Sequence, residues 1–172
     1  MRTTIIGSEK KQRLEESVKL AFFDDPENIE SGTMMLRKTA DKLPTPEAYV
    51  RVKSIRTYLD YMISEALKIG KLNLTGTEFI VNMKGHLWIV ISGDHGGDQK
   101  VSSTQKYGIQ LLANSIYVYG LYEASDILEN QTIFLNKYYA ELEDIVLNGV
   151  SINGKIYPCF LFCKGDMKQG FE

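Results

Sequence analysis

The sequence predicts an α/β protein, a helical N-terminal segment followed by a mixed sheet. Three observations carry this. Ahead of residue 72, apolar side chains recur at helical spacing, and Pro and Gly punctuate the recurrences. From Leu72 onward the texture changes to short runs rich in β-branched and aromatic residues. The composition, 44% hydrophobic and 24% charged over 172 residues, is that of a globular chain with enough surface to bury a core. No run reaches the roughly 18 apolar residues of a membrane span. The opening Met1-Arg-Thr-Thr-Ile-Ile-Gly-Ser lacks the apolar stretch of a signal peptide, so an intracellular location, cytoplasm or nucleus, is expected.

Residues 8–23 read as an amphipathic helix, with Ser8 as N-cap and Leu14, Val18, Ala21 and Phe22 on one stripe; Asp24-Asp25-Pro26 ends it. A second helical stretch is expected from Pro26 to Lys42, interrupted at Ser31-Gly32. Leu43-Pro44-Thr45-Pro46 is the clearest punctuation, and it places a boundary between a helical segment, 1–44, and an α/β domain, 45–172. That domain opens with a long helix over 46–69. Thr45 caps it, Pro46 and Glu47 fill its first turn, and Tyr49, Val52, Ile55, Leu59, Met62, Ile63, Ala66 and Leu67 line one face up to Gly70. Arg51, Lys53 and Arg56 crowd its first half, as a solvated face or a set of phosphate contacts.

The strand-rich part covers 72–172. Leu72 to Val81 and His86 to Ser92 resemble a hairpin, whose second arm, Leu87–Ile91, is apolar at every position and so reads as a strand covered on both faces. A polar, glycine-rich loop, Ser92 to Asp98, is expected next. Tyr107–Leu112 and Ile116–Leu121 read as two further strands. A helix follows from about Ser125, carrying Leu128, Phe134, Leu135, Tyr138, Tyr139, Leu142 and Ile145 and stopped by Gly149. Another hairpin-like pattern leads to Lys155-Ile-Tyr-Pro-Cys-Phe-Leu-Phe-Cys163. Cys159 and Cys163 share a face of that strand, too far apart to bridge, and read as buried thiols. Tyr117, Tyr119 and Tyr122 read as core.

Charge narrows the partners. The first 71 residues hold 13 Lys and Arg against 11 Asp and Glu, and the rest hold 7 against 11. The acidic back half offers little to a phosphate backbone. Its most informative feature is a repeated grammar, Trp88-Ile-Val-Ile-Ser-Gly-Asp94 and Phe160-Leu-Phe-Cys-Lys-Gly-Asp166. An apolar strand fixes backbone position by burial, Gly lets the chain leave the sheet, and an aspartate sits at the carboxyl end where α/β sheets commonly bind ligands. Two such carboxylates on adjacent strands would share divalent ions, Mg²⁺ or Mn²⁺, about 4 Å apart as phosphoryl transfer requires.

A strand ending in Asp, two further strands, a helix, then a strand ending in Asp resembles the first half of an RNase H-like fold, the fold of DDE transposases and V(D)J-type recombinases. The phrases Ile91-Ser-Gly-Asp-His-Gly-Gly, Tyr122-Glu-Ala-Ser-Asp-Ile-Leu-Glu-Asn and Phe162-Cys-Lys-Gly-Asp also resemble transposon-encoded proteins of animals. The resemblance covers residues 72–172. It implies that Asp94 and Asp166 are metal ligands and catalytic groups in an active member, with Glu129 as the nearest counterpart of a helix-borne third ligand. The family's last catalytic carboxylate comes from a later helix with no counterpart in this sequence, and its basic DNA-binding domains are missing. Two functions follow as expectations. One is a transposase-derived, catalytically inert interaction or scaffold domain, with a protein partner or self-association. The alternative is metal-dependent phosphoryl transfer on nucleic acid by Asp94 and Asp166.

Overall fold

The computed structural model describes residues 26–96, 104–111 and 117–164. The expected helix over 8–23 lies outside them, as does Asp166. Eight strands are described: β1 (Ile29–Leu36), β2 (Thr45–Val52), β3 (Leu87–Gly96), β4 (Thr104–Leu111), β5 (Tyr117–Tyr122), β6 (Val150–Ile152), β7 (Lys155–Tyr157) and β8 (Cys159–Lys164). Three α-helices join them: α1 (Ile55–Lys68), α2 (Leu128–Leu135) and α3 (Tyr139–Asn148), the last two linked by a 3₁₀ turn over Asn136–Tyr138. Six strands make one sheet in the order β1-β2-β5-β4-β3-β8, and β6-β7 form a separate hairpin. Every neighbouring pair in the large sheet is antiparallel except β3 and β8, which run parallel. The predicted α/β class with a mixed sheet is therefore what the chain adopts.

Several elements differ from the sequence reading. Within 26–42 a 3₁₀ turn over Pro26–Asn28 leads into a strand, not a helix: Ile29–Leu36 pairs along its length with Thr45–Val52. Gly32 does not break it: the ladder runs through it, with Gly32 opposite Tyr49. The connection through Pro44 thus joins two strands of one sheet. The long helix is shorter at its start, for Thr45–Val52 is β2 and the helix begins at Ile55 behind the N-cap Ser54. Tyr49 and Val52 fit a helical stripe as well as a strand. With β-branched Val50 and Val52 and a partner strand on hand, pairing decides. Pro46 is tolerated because β2 contacts β5 only over Tyr49–Arg51, so no ladder bond is lost there.

The first arm of the expected hairpin is not a strand either. The Asn73 side chain accepts from the Thr75 N–H at 3.1 Å, closing an Asx turn, and Glu78–Asn82 form a π-helical turn that buries only Phe79. Asn153-Gly154, both at positive φ, make the tight turn of the β6-β7 hairpin. Val146 and Leu147, ahead of that hairpin, lie in the last turn of α3.

The core lies between the sheet and the helices. Ile55, Tyr58, Leu59, Met62, Ile63 and Ala66 of α1, with Phe134, Leu135, Tyr138 and Ile145 of the later helices, pack on Leu87, Ile89, Tyr107, Ile109, Tyr119 and Tyr122. A bulge between β4 and β5 at Tyr107/Gly108 turns both Tyr119 and Gly120 toward the helices. Gly120 must lack a side chain, since a Cβ would stand 2.5 Å from Phe134 Cζ. On the reverse face Ala48, Val50 and Leu121 form a second buried cluster.

Candidate functional site

The parent strands of the two Gly-Asp phrases are neighbours. β3 and β8 pair in a parallel register from Leu87↔Cys159 to Ser92↔Lys164, a constant offset of 72 residues. Asp94 and Asp166 are separated in sequence by the same 72 residues. Asp94 belongs to β3, which continues to Gly96 with Asp94 opposite Lys106 and His95 opposite Gln105. The segment read as a loop from Ser92 is thus strand as far as Gly96, its backbone extended by pairing with β4.

Glu129 stands elsewhere. It occupies the first turn of α2 and accepts from Arg37 Nε at 2.7 Å. Asn130, fully buried, fixes that helix end to the residue after β1: its Oδ1 accepts from the Arg37 N–H at 2.9 Å, and its Nδ2 donates to the Arg37 and Ser125 carbonyls. The sheet order puts β2, β5 and β4 between β1 and β3. At about 4.8 Å per step that is roughly 19 Å. Glu129 is thus held at the β1 side of the sheet. Among the described residues no group of three or more His, Cys, Asp or Glu side chains is placed to hold a metal ion.

The basic residues read as one helix face have separate duties. Arg51 lies in β2, mostly buried, bonded to Glu30 and to the Phe134 carbonyl, with its guanidinium over the Tyr49, Phe134 and Tyr138 rings. Arg56 pairs with Asp144. Burial would raise the Glu30 carboxyl, but hydrogen bonds from Lys137 and Arg51 outweigh it and hold the group below its ordinary value. Arg51 and Arg56 thus hold the fold together, while Lys53 is exposed in the turn before α1.

What sequence reasoning missed is a groove. An apolar cavity of about 540 Å³ opens between α3 and the β8 side of the sheet. Leu142, Val146 and Leu147 form its helix wall and Ile91, Leu161 and Cys163 its floor, with Glu143 the only carboxylate among the described residues of the lining. Leu147 is 73% exposed. On the reverse face of the same edge, Trp88, Phe160 and Phe162 form an aromatic cluster, and the His86 ring stacks on Phe160 at 4.1 Å. Both Phe rings are 42% exposed. The signal was present in the sequence: Val146-Leu147 lies off the core stripe of its helix, and Cys-Phe-Leu-Phe-Cys is apolar on both faces.

Both thiols are free, but only Cys159 is buried; Cys163 is exposed at the groove, which corrects the expectation for that residue. Burial pushes the Cys159 thiol up to about 11 and raises Cys163 as well. No protein-family model matches the chain, and no curated protein sequence matches it. Among the described residues no helix is long and apolar enough to cross a membrane.

Proposed function

We propose that this chain is a transposase-derived, RNase H-like domain that works as a protein-interaction module rather than as a nuclease. The observation that carries the reading is the β8 side of the sheet, where an apolar groove on one face and an aromatic cluster on the other flank one strand. Contiguous apolar surface of this kind marks interaction sites. The RNase H-like part is supported by the succession of elements: β3, β4 and β5 antiparallel in chain order, a helical crossover, then β8 parallel beside β3. The pairing of Glu129 with Arg37 on the β1 side weighs against a three-carboxylate centre.

The interaction reading is tested by selecting a random peptide library against the folded domain, immobilised sparsely so that copies cannot meet. Peptides alternating aromatic or aliphatic with polar residues should be enriched. The double variant Val146→Glu, Leu147→Glu should melt near the wild type, because both side chains are solvent-exposed, yet lose those peptides. No enrichment, or equal enrichment on the variant, would sink the reading.

A second reading keeps one specific support, the shared offset of 72 between the β3–β8 register and the two aspartates. On this reading Asp94 and Asp166 bind Mg²⁺ or Mn²⁺ and act in phosphoryl transfer on nucleic acid. Metal at one hundred times its Kd should then stabilise the fold by about 2.7 kcal/mol. Asp94→Asn and Asp166→Asn should each melt higher without metal, as like-charge repulsion is relieved, and respond less to it. A wild-type melting midpoint indifferent to both ions removes this reading.

A further inference from the structure

The β8 strand has an internal symmetry that names its partner. Cys159-Phe160-Leu161-Phe162-Cys163 reads identically in both directions. Among the described residues β8 ends the sheet and pairs only with β3. The Leu87 N–H donates to the Pro158 carbonyl at 2.8 Å, which sets the phase of the ladder. In a parallel ladder of that phase Phe160 and Phe162 turn both backbone groups toward β3, and Cys159, Leu161 and Cys163 turn theirs outward.

We propose that the β8 edge pairs with the β8 edge of a second copy of this chain, antiparallel about a two-fold axis at Leu161, to make one continuous sheet. This deepens the interaction reading and rests on it. In that register Leu161 meets Leu161, Cys159 meets Cys163, and Phe160 meets Phe162. The outward N–H and carbonyl of Leu161 then face those of Leu161 in the second copy, at the half-buried to exposed part of the edge; Cys159, buried in the single copy, marks where the pairing ends. Directly opposite residues share a face, so the Phe rings of the two copies join the Trp88 cluster on the reverse side. On the other side the two α3 helices approach across the axis, and Val146 and Leu147 cover the paired Leu161 and Cys163 floor. A two-fold contact requires a self-complementary patch, and a palindromic strand supplies one without further design.

The two edges of the sheet differ as this predicts. The β1 edge carries Glu30, Ser31, Gly32 and Thr33, the polar and small residues that discourage edge pairing. The β8 edge carries no charge before Lys164. A parallel strand that is apolar on both faces has the composition of one inside a sheet.

Sedimentation of the full chain over a range of concentrations should give a monomer–dimer equilibrium. Phe160→Lys with Phe162→Lys sets like charges opposite each other twice and should weaken the dimer by about 100-fold. Phe160→Lys with Phe162→Glu sets Lys opposite Glu twice in the proposed register and should restore most of that loss. A wild type that stays monomeric overturns the proposal, and so does a dimer indifferent to the Lys pair. A dimer lost in both variants overturns the register. Should either variant fail to fold, amide exchange of the wild type decides: the Leu161 and Cys163 amides must slow as concentration rises. Fast exchange independent of concentration contradicts the pairing. A monomer whose edge still selects peptides would refute the second copy alone and leave the interaction reading in place.

Discussion

Arg51 illustrates how a single residue binds three parts of the fold. Its guanidinium joins Glu30 on β1 to the Phe134 carbonyl on α2 while lying over three aromatic rings. Around it the core is unusually rich in tyrosine. Tyr58, Tyr107, Tyr119, Tyr122 and Tyr138 are all buried. Each hydroxyl is pushed above its ordinary value, chiefly by burial, Tyr107 to about 12. The Cys159 thiol moves the same way, to about 11. A group whose folded value is raised holds its proton more tightly in the fold. Its stabilisation is present below the unfolded value and is lost as pH climbs toward the folded one. Cys159 opens this window at 9.0 and Tyr107 at 10.0. Each group costs up to about 1.4 kcal/mol per pH unit inside it. Stability should therefore hold to about pH 9 and then fall steeply. Tyrosinate absorbance should rise in two phases, with the buried five of the ten tyrosines ionising only as the fold is lost. A single phase near the ordinary tyrosine value, with native circular dichroism retained, would contradict the buried cluster.

Among the elements, α1 owes its start to two side chains. Ser54 Oγ accepts from the Thr57 N–H at 3.1 Å and donates to Glu141 Oε2 at 2.7 Å, and the same Glu141 oxygen accepts from the Arg56 N–H at 3.0 Å. Glu141, on α3, thus answers the unpaired N–H groups of another helix. Ser54→Ala should cost about 1–2 kcal/mol in chemical denaturation, and Ser54→Thr, which keeps the hydroxyl, less than half of that. Equal midpoints for all three proteins would show that the cap contributes nothing. Neither Ser54 nor β1 was legible in sequence, and the reason is shared. Pro46 after Thr45 imitates a helix start, and Tyr49 and Val52 continue a stripe that truly begins at Ile55. Only the pairing of 29–36 with 45–52 separates the two readings, and that is a non-local fact. By contrast β3, β4, β5, the helical stretch after Ser125 and the last strand were legible, because their periodicity or continuous apolarity is strong. The groove left only a partial trace in the off-stripe Val146 and Leu147, since it arises where these two side chains of α3 overhang a strand more than a dozen residues away.

At the scale of the molecule, everything proposed here depends on one adjacency. The mixed sheet, the shared offset of 72 and the free edge all require β8 to lie parallel beside β3 with β8 outermost. The repeated Gly-Asp grammar pointed to neighbouring strands from sequence. The direction and register could not be read there, because a parallel return depends on where the intervening helices carry the chain. Which face Phe160 and Phe162 take depends on that register too, since a slip of one residue would exchange them with Leu161 and Cys163. The most direct measurement is the pattern of inter-strand proton NOEs in the dilute, monomeric chain. Backbone NOEs of parallel type should join Leu87 to Cys159, Ile89 to Leu161 and Ile91 to Cys163, with β8 linked to no other described strand. Antiparallel NOEs between these strands, a register shifted by one, or a further described strand on the outer side of β8 would contradict it.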